Sequence, residues 1–97
     1  MWARVARFEG GEREAIQRTA QEIRSQAEGG PPEGVPATGF ILLVDPDGGR
    51  TIGVALFESE RDMQAGDRVL NEMSPPGDGM GRRTSVEMYE VAVDVRQ

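Results

Sequence analysis

The 97-residue sequence has no cysteine, no histidine and no lysine. Without cysteine there are no disulfides and no thiolate metal sites. Without histidine there is no imidazole base or metal ligand, and without lysine no Schiff-base amine. Aromatics are scarce, with one Trp, one Tyr and three Phe. Arginine alone supplies the positive charge, 11 residues against 17 acids, for a net charge of −6. That balance opposes a nucleic-acid partner, because duplexes are held largely through neutralised phosphates. No segment reads as a signal peptide, and no run of about 20 apolar residues is present to span a bilayer. The expectation is a cytoplasmic protein with no membrane partner, no metal and no cofactor.

What is present reads as one domain over residues 1–97. Residues 2–9 alternate as a strand, with Trp2, Arg4, Ala6 and Phe8 on one face and Ala3, Val5 and Arg7 on the other. Gly10-Gly11 breaks it, and Glu12 to Ala27 follows as a helix with Ile16, Ala20, Ile23 and Ala27 on one stripe. Glu28 to Ala37 is a Gly- and Pro-rich loop. Residues 38–45 are apolar on both faces, as in a strand covered on two sides. Asp45-Pro46-Asp47-Gly48-Gly49 is a turn, and residues 50–58 return as a third strand.

Ser59, with Asp62 three residues on, predicts a helix N-cap. Met63, Gly66, Leu70 and Met73 fall on one stripe of that helix. Ser74 to Gly81 is a second loop. Its Gly77-Asp78-Gly79-Met80-Gly81 run follows a helix, lacks Lys and carries an Asp, so a phosphate cradle is discarded. Arg83 to Val95 is a final strand whose apolar parity changes near Tyr89, which a bulge or a change of partner along the strand would explain. Phe8-Glu9-Gly10-Gly11-Glu12-Arg13 echoes Phe57-Glu58-Ser59-Glu60-Arg61, and each string marks a strand passing into a helix.

Strand-helix-strand-strand-helix-strand order predicts an α+β, ferredoxin-like fold: a four-stranded antiparallel sheet with two helices on one face. The other face is then bare, and its simplest cover is the sheet of a second copy. Ile52, Val54 and Leu56 form an aliphatic face of the third strand; Thr51, Gly53, Ala55 and Phe57 form a mixed one. The aliphatic face is expected under the helices. The mixed face, with Trp2, Arg4 and Ala6, is expected to look into the dimer, where Arg4 meets Glu87 or Glu90.

Several strings carry a family resemblance. Trp2-Ala3-Arg4-Val5-Ala6-Arg7-Phe8-Glu9, Leu42-Leu43-Val44-Asp45 with Asp47-Gly48-Gly49-Arg50, Phe57-Glu58-Ser59, and Ser85-Val86-Glu87-Met88-Tyr89-Glu90-Val91 resemble the dimeric α+β barrel superfamily. Within it the chain resembles small bacterial proteins similar to antibiotic-biosynthesis monooxygenases. The resemblance implies two ferredoxin-like subunits with facing sheets, and a pocket in each between sheet and helices. The superfamily holds cofactor-free oxygenases of polycyclic aromatics, haem-degrading enzymes and muconolactone isomerase-like enzymes. Haem-binding members supply a His ligand, which this chain lacks. The oxygenases gather Asn, Trp, Tyr and Arg around a substrate. Asn71, Trp2, Tyr89 and several Arg are present here, but not in that local order.

Trp2, Arg4, Phe57, Asn71 and Tyr89 are therefore the candidate ligand-binding residues, with no catalytic residue assigned. Each also has a structural reading. Trp2 serves as an interface anchor. Arg4 pairs with a carboxylate, because an unpaired charge inside an apolar strand is costly. Phe57 and Phe40 fill the core, and Asn71 is exposed, one step off its stripe. Tyr89 finds a backbone partner. Two functions fit: a homodimer binding a small apolar or aromatic ligand, and a cofactor-independent monooxygenase or isomerase acting on a small aromatic compound. The second needs only an apolar pocket and an Arg or Asn near a developing oxyanion.

Overall fold

A computed structural model describes residues 1–72 and 80–96. The elements follow the predicted order: β1 (Trp2–Glu9), α1 (Arg13–Ala27), β2 (Gly39–Asp45), β3 (Arg50–Phe57), α2 (Glu60–Glu72) and β4 (Arg82–Glu90). The strands form one antiparallel sheet in the order β2-β3-β1-β4. This is the ferredoxin-like arrangement.

Local chemistry sets the boundaries. Ser59 Oγ accepts the amide hydrogen of Asp62 at 3.1 Å and caps α2 as its sequence predicts. The β2–β3 turn closes on Asp45, whose carboxylate accepts from Gly48 N at 3.1 Å and Arg50 Nη2 at 2.6 Å. Arg50, and then the Gly48 amide, hold that carboxyl below its usual range. Gly81 enters β4 at φ +76, and a Cβ there would lie 2.2 Å from Glu9 O, so only glycine allows this approach.

Both helices cover the face of the sheet that carries Arg4, Ala6, Gly53, Ala55 and Phe57. Ala55, Phe57, Met63 and Val35 form a buried cluster, with Trp2, Ala37, Val69 and Leu70 packed against it. Val35 comes from the connection after α1, so that loop contributes to the core. At Gly66 of α2, the missing side chain leaves room for the Phe57 ring. On α1, Ile16 and Thr19 are buried while Ala27 is exposed, so the stripe is rotated slightly from the predicted one.

The expected assignment of the two faces is reversed. The mixed face takes the helices, and the aliphatic face is the open one. Small residues at positions 6, 53 and 55 let the helices and an intervening cleft sit close to the backbone. Val5, Ile41, Leu43, Ile52, Val54 and Leu56 lie on the other side, with Ile41 and Leu43 45% and 51% exposed. Arg4 accordingly meets α2 rather than Glu87 or Glu90. Glu87 instead pairs with Arg7 on the open face, Nε to Oε1 at 2.6 Å.

The bulge in β4 lies at Thr84 and not near Tyr89. The β1–β4 register breaks between Arg7 and Phe8, where Arg7 pairs with Ser85 and Phe8 with Arg83, leaving Thr84 as the extra residue. β4 ends at Glu90, so the parity change near Tyr89 marks the end of the strand. Val93 and Val95 beyond it are 78% and 79% exposed. Met73 of the predicted α2 stripe, and residues 74–79 of the second loop, lie outside the described residues.

Candidate functional site

A cleft of about 870 Å³ opens between the helices and the sheet. Its floor is Ala6 and Phe8 of β1, Phe40 and Leu42 of β2, and Gly53 and Ala55 of β3. Ile23 and Ala27 of α1 form one wall, Leu70 and Asn71 of α2 the other, and the segment after α1 runs along the rim. Strand alternation puts these floor residues on one face. The absent or single-methyl side chains at positions 6, 53 and 55 create the depth. A smaller hollow of about 500 Å³ lies between α1 and β2, lined by Gln17, Gln21, Arg24 and Val44 among others.

Polar chemistry collects at one place in the cleft. Arg4 donates from Nε to Asp67 Oδ1 at 2.7 Å and from Nη2 to Asn71 Oδ1 at 3.0 Å. Arg83 donates from Nη1 to the same Asn71 oxygen at 2.9 Å. Asp67 and Asn71 stand one turn apart on α2 and so share a face. The Arg4 side chain is nearly buried, which makes its carboxylate partner necessary. With its oxygen occupied twice, the Asn71 amide has its NH₂ group left as a donor among the described residues.

Of the five predicted site residues, two line this cleft: Arg4 and Asn71. Trp2 packs on the core cluster beside it, and Phe57 is wholly buried beneath Gly66. Tyr89 stands on the open face and donates its hydroxyl to Glu87 Oε2 at 2.5 Å. Phe40, expected in the core, is half exposed and floors the cleft. Arg83, Phe8 and Leu42 escaped sequence reading. Phe8 and Leu42 share strand parity with Arg4 once the register is known, but Arg83 is placed only by the bulge. Among the described residues, no cluster of three or more His, Cys, Asp or Glu side chains is arranged to hold a metal. No helix among them is long and apolar enough to cross a membrane.

No family model and no curated protein matches the sequence. Among solved structures, the chain is similar to a MhuD mutant crystallised with two manganese protoporphyrin IX molecules per active site. The TM-score is 0.61 at 16% identity, covering 100% of both chains. The shared fold is the ferredoxin-like one, with βαββαβ order and four antiparallel strands. At this identity the likeness concerns the fold alone. In this fold, the cleft described above occupies the space between sheet and helices.

Proposed function

We propose that this α+β barrel subunit forms a homodimer through its open sheet face and binds one small, flat, mostly apolar or aromatic ligand per cleft. The observation that carries this reading is the composition of the cleft. Its floor of Phe8, Phe40 and Leu42 is apolar, and its polar groups converge at Arg4, Asn71 and Arg83. Ligand sites commonly have this make-up, with apolar walls and a few placed polar groups that fix orientation.

The porphyrin of the neighbour is not carried over. An iron or manganese porphyrin is held through an axial His, Cys, Met or Tyr. The described cleft lining has no His, Cys or Tyr, and its Met80 is buried. A metal-free aromatic ligand suits these residues better.

Saturable binding of the neutral fluorophore N-phenyl-1-naphthylamine tests the reading. One molecule per chain is expected. Gly53→Leu should abolish binding while the fold survives, because a Cβ at Gly53 meets the Phe40 ring at an ordinary 3.6 Å and a longer side chain then fills the cleft. Binding that is absent, or indifferent to Gly53→Leu, counts against it.

The convergence of Arg4, Asn71 and Arg83 favours a second reading, a cofactor-independent monooxygenase or isomerase. Guanidinium and amide donors in an apolar cleft stabilise an oxyanion as it develops on a bound aromatic. Oxygen uptake or product formation with a panel of anthrone- and quinol-like compounds, lost in Asn71→Ala, supports catalysis. An inert panel leaves the binding reading standing alone.

A further inference from the structure

We infer that the cleft selects an anionic ligand, an apolar ring system bearing a carboxylate or enolate-type oxygen, and that Arg83 is the residue that meets that charge. The inference rests on the cleft being a ligand site and adds the ligand's charge and its reader.

Two observations carry it. The first is local charge. At the polar end of the cleft stand two guanidinium groups, Arg4 and Arg83, and one ion-paired carboxylate, Asp67. Asp67 matches Arg4. Among the described residues Arg83 meets only the neutral amide oxygen of Asn71, which orients the guanidinium without neutralising it. The net charge of −6 opposes this locally positive spot only weakly, since charges beyond about 8–10 Å are screened at physiological salt. Apolar walls strengthen the field of a cation beside them.

The second observation is the β-bulge. Beyond Thr84, the odd-numbered residues of β4, Ser85, Glu87 and Tyr89, all lie on the open face. Unbroken alternation would put Arg83 with them. The extra residue, Thr84, reverses the parity, pairs Arg83 with Phe8 and delivers it into the cleft. Thr84 donates its hydroxyl to Arg7 O at 3.3 Å, a contact at the break itself. Bulges re-aim side chains in this way beside functional sites. The irregularity thus places a second cation beside Arg4 and Asn71 in a mostly apolar cleft. Asn71 acts as a positioning residue, holding Arg4 and Arg83 on a single oxygen.

The test compares two ligands of equal shape, 2-naphthoate and 2-naphthamide, by calorimetric titration. The intact protein is expected to bind the anion about tenfold more tightly, the scale of one charge-assisted contact at a partly open site. Arg83→Gln should bring the ratio close to one, and Arg83→Lys should keep most of it. Deleting Thr84 leaves residue 83 directly before Ser85 and still opposite Phe8 on the cleft face, so the preference should survive that deletion. Equal affinity for the two ligands in the intact protein, or a preference that survives Arg83→Gln, overturns the inference while the cleft remains a binding site. Failure of both ligands to bind overturns the cleft reading as well.

Discussion

Arg4 on β1 and Asp67 on α2 form an ion pair, Nε to Oδ1 at 2.7 Å, that ties the second helix to the centre of the sheet. The two side chains are 6% and 18% exposed, so neither can be left alone without a desolvation penalty. Asp67→Ala strands the guanidinium with only the Asn71 oxygen. It is expected to cost about 3 kcal/mol, the lower end of the range for breaking a buried pair. Asp67→Asn should cost less, because an amide oxygen still accepts the Arg4 Nε–H. Urea denaturation of the two variants measures both values. A loss below 1 kcal/mol for Asp67→Ala would mean that Arg4 swings out to water.

Gly66 and Phe57 set the distance between α2 and the sheet. Helix propensity favours Gly66→Ala by about 1 kcal/mol. The geometry opposes it, since a Cβ on Gly66 would lie 2.6 Å from Phe57 Cε1 and the ring is 0% exposed, with nowhere to retreat. Overpacking of this kind costs about 1–3 kcal/mol. The variant should therefore be less stable than the parent, with the loss partly recovered in Gly66→Ala combined with Phe57→Leu. Thermal unfolding of the three proteins decides it, and a stabilised Gly66→Ala would contradict the packing.

These contacts show where the sequence is legible and where it stops. Element order, the strand ends at Trp2 and Asp45 and the Ser59 cap were readable because turn residues, caps and alternation are local signals. The choice of face was not. Ile52, Val54 and Leu56 look like core, but a face that is open in one chain can be just as apolar as one that is covered. The face under the helices needed small residues at positions 6, 53 and 55 for close approach, so it reads as less hydrophobic. Arg83 was illegible because one bulged residue, with no strong sequence mark at Thr84, decides its face. The joint hold of Asn71 on two arginines far apart in sequence depends on tertiary placement alone.

Thr51 supplies a prediction of opposite sign. Its residue is 2% exposed, and its Oγ1 has no hydrogen-bond partner among the described residues. A buried, unpaired hydroxyl costs free energy that a methyl of similar shape does not. Thr51→Val also suits a strand, where β-branched residues pack well. It should raise stability by about 1 kcal/mol. A destabilised Thr51→Val would show that a water or a neighbour satisfies the hydroxyl in solution.

On the open face, Arg7, Glu87 and Tyr89 form a linked polar group amid aliphatic neighbours. The Tyr89 hydroxyl, and then Arg7, hold the Glu87 carboxyl below its ordinary range. Its hydrogen bond to Glu87, more than desolvation, pushes the Tyr89 hydroxyl up. For Glu87 the folded value is depressed, so its contribution is present above the ordinary carboxylate value and is lost as pH falls through the folded one. For Tyr89 the folded value is raised, so its contribution holds below the ordinary phenol value and is lost as pH rises through the folded one. Tyr89→Phe should therefore raise the Glu87 pKa, read from its carboxyl carbon in an NMR pH titration. An unmoved Glu87 would place its hydroxyl partner elsewhere.

The open face also fixes how the proposed dimer can be tested without damaging the subunit. Leu43 and Ile41 are about half exposed in the single chain, so a charge at either position costs the isolated subunit little. In a dimer joined through this face, the same charge would sit unpaired in an apolar interface, where it is expensive. A stable interface of standard size buries about 800 Å² per partner, which demands most of this face. Sedimentation velocity at micromolar concentration should accordingly give a dimer for the parent and a folded monomer for Leu43→Glu. A monomeric parent would leave the aliphatic face of β2 and β3 to another partner. A dimeric Leu43→Glu would move the interface off this face while leaving the cleft beneath the helices untouched.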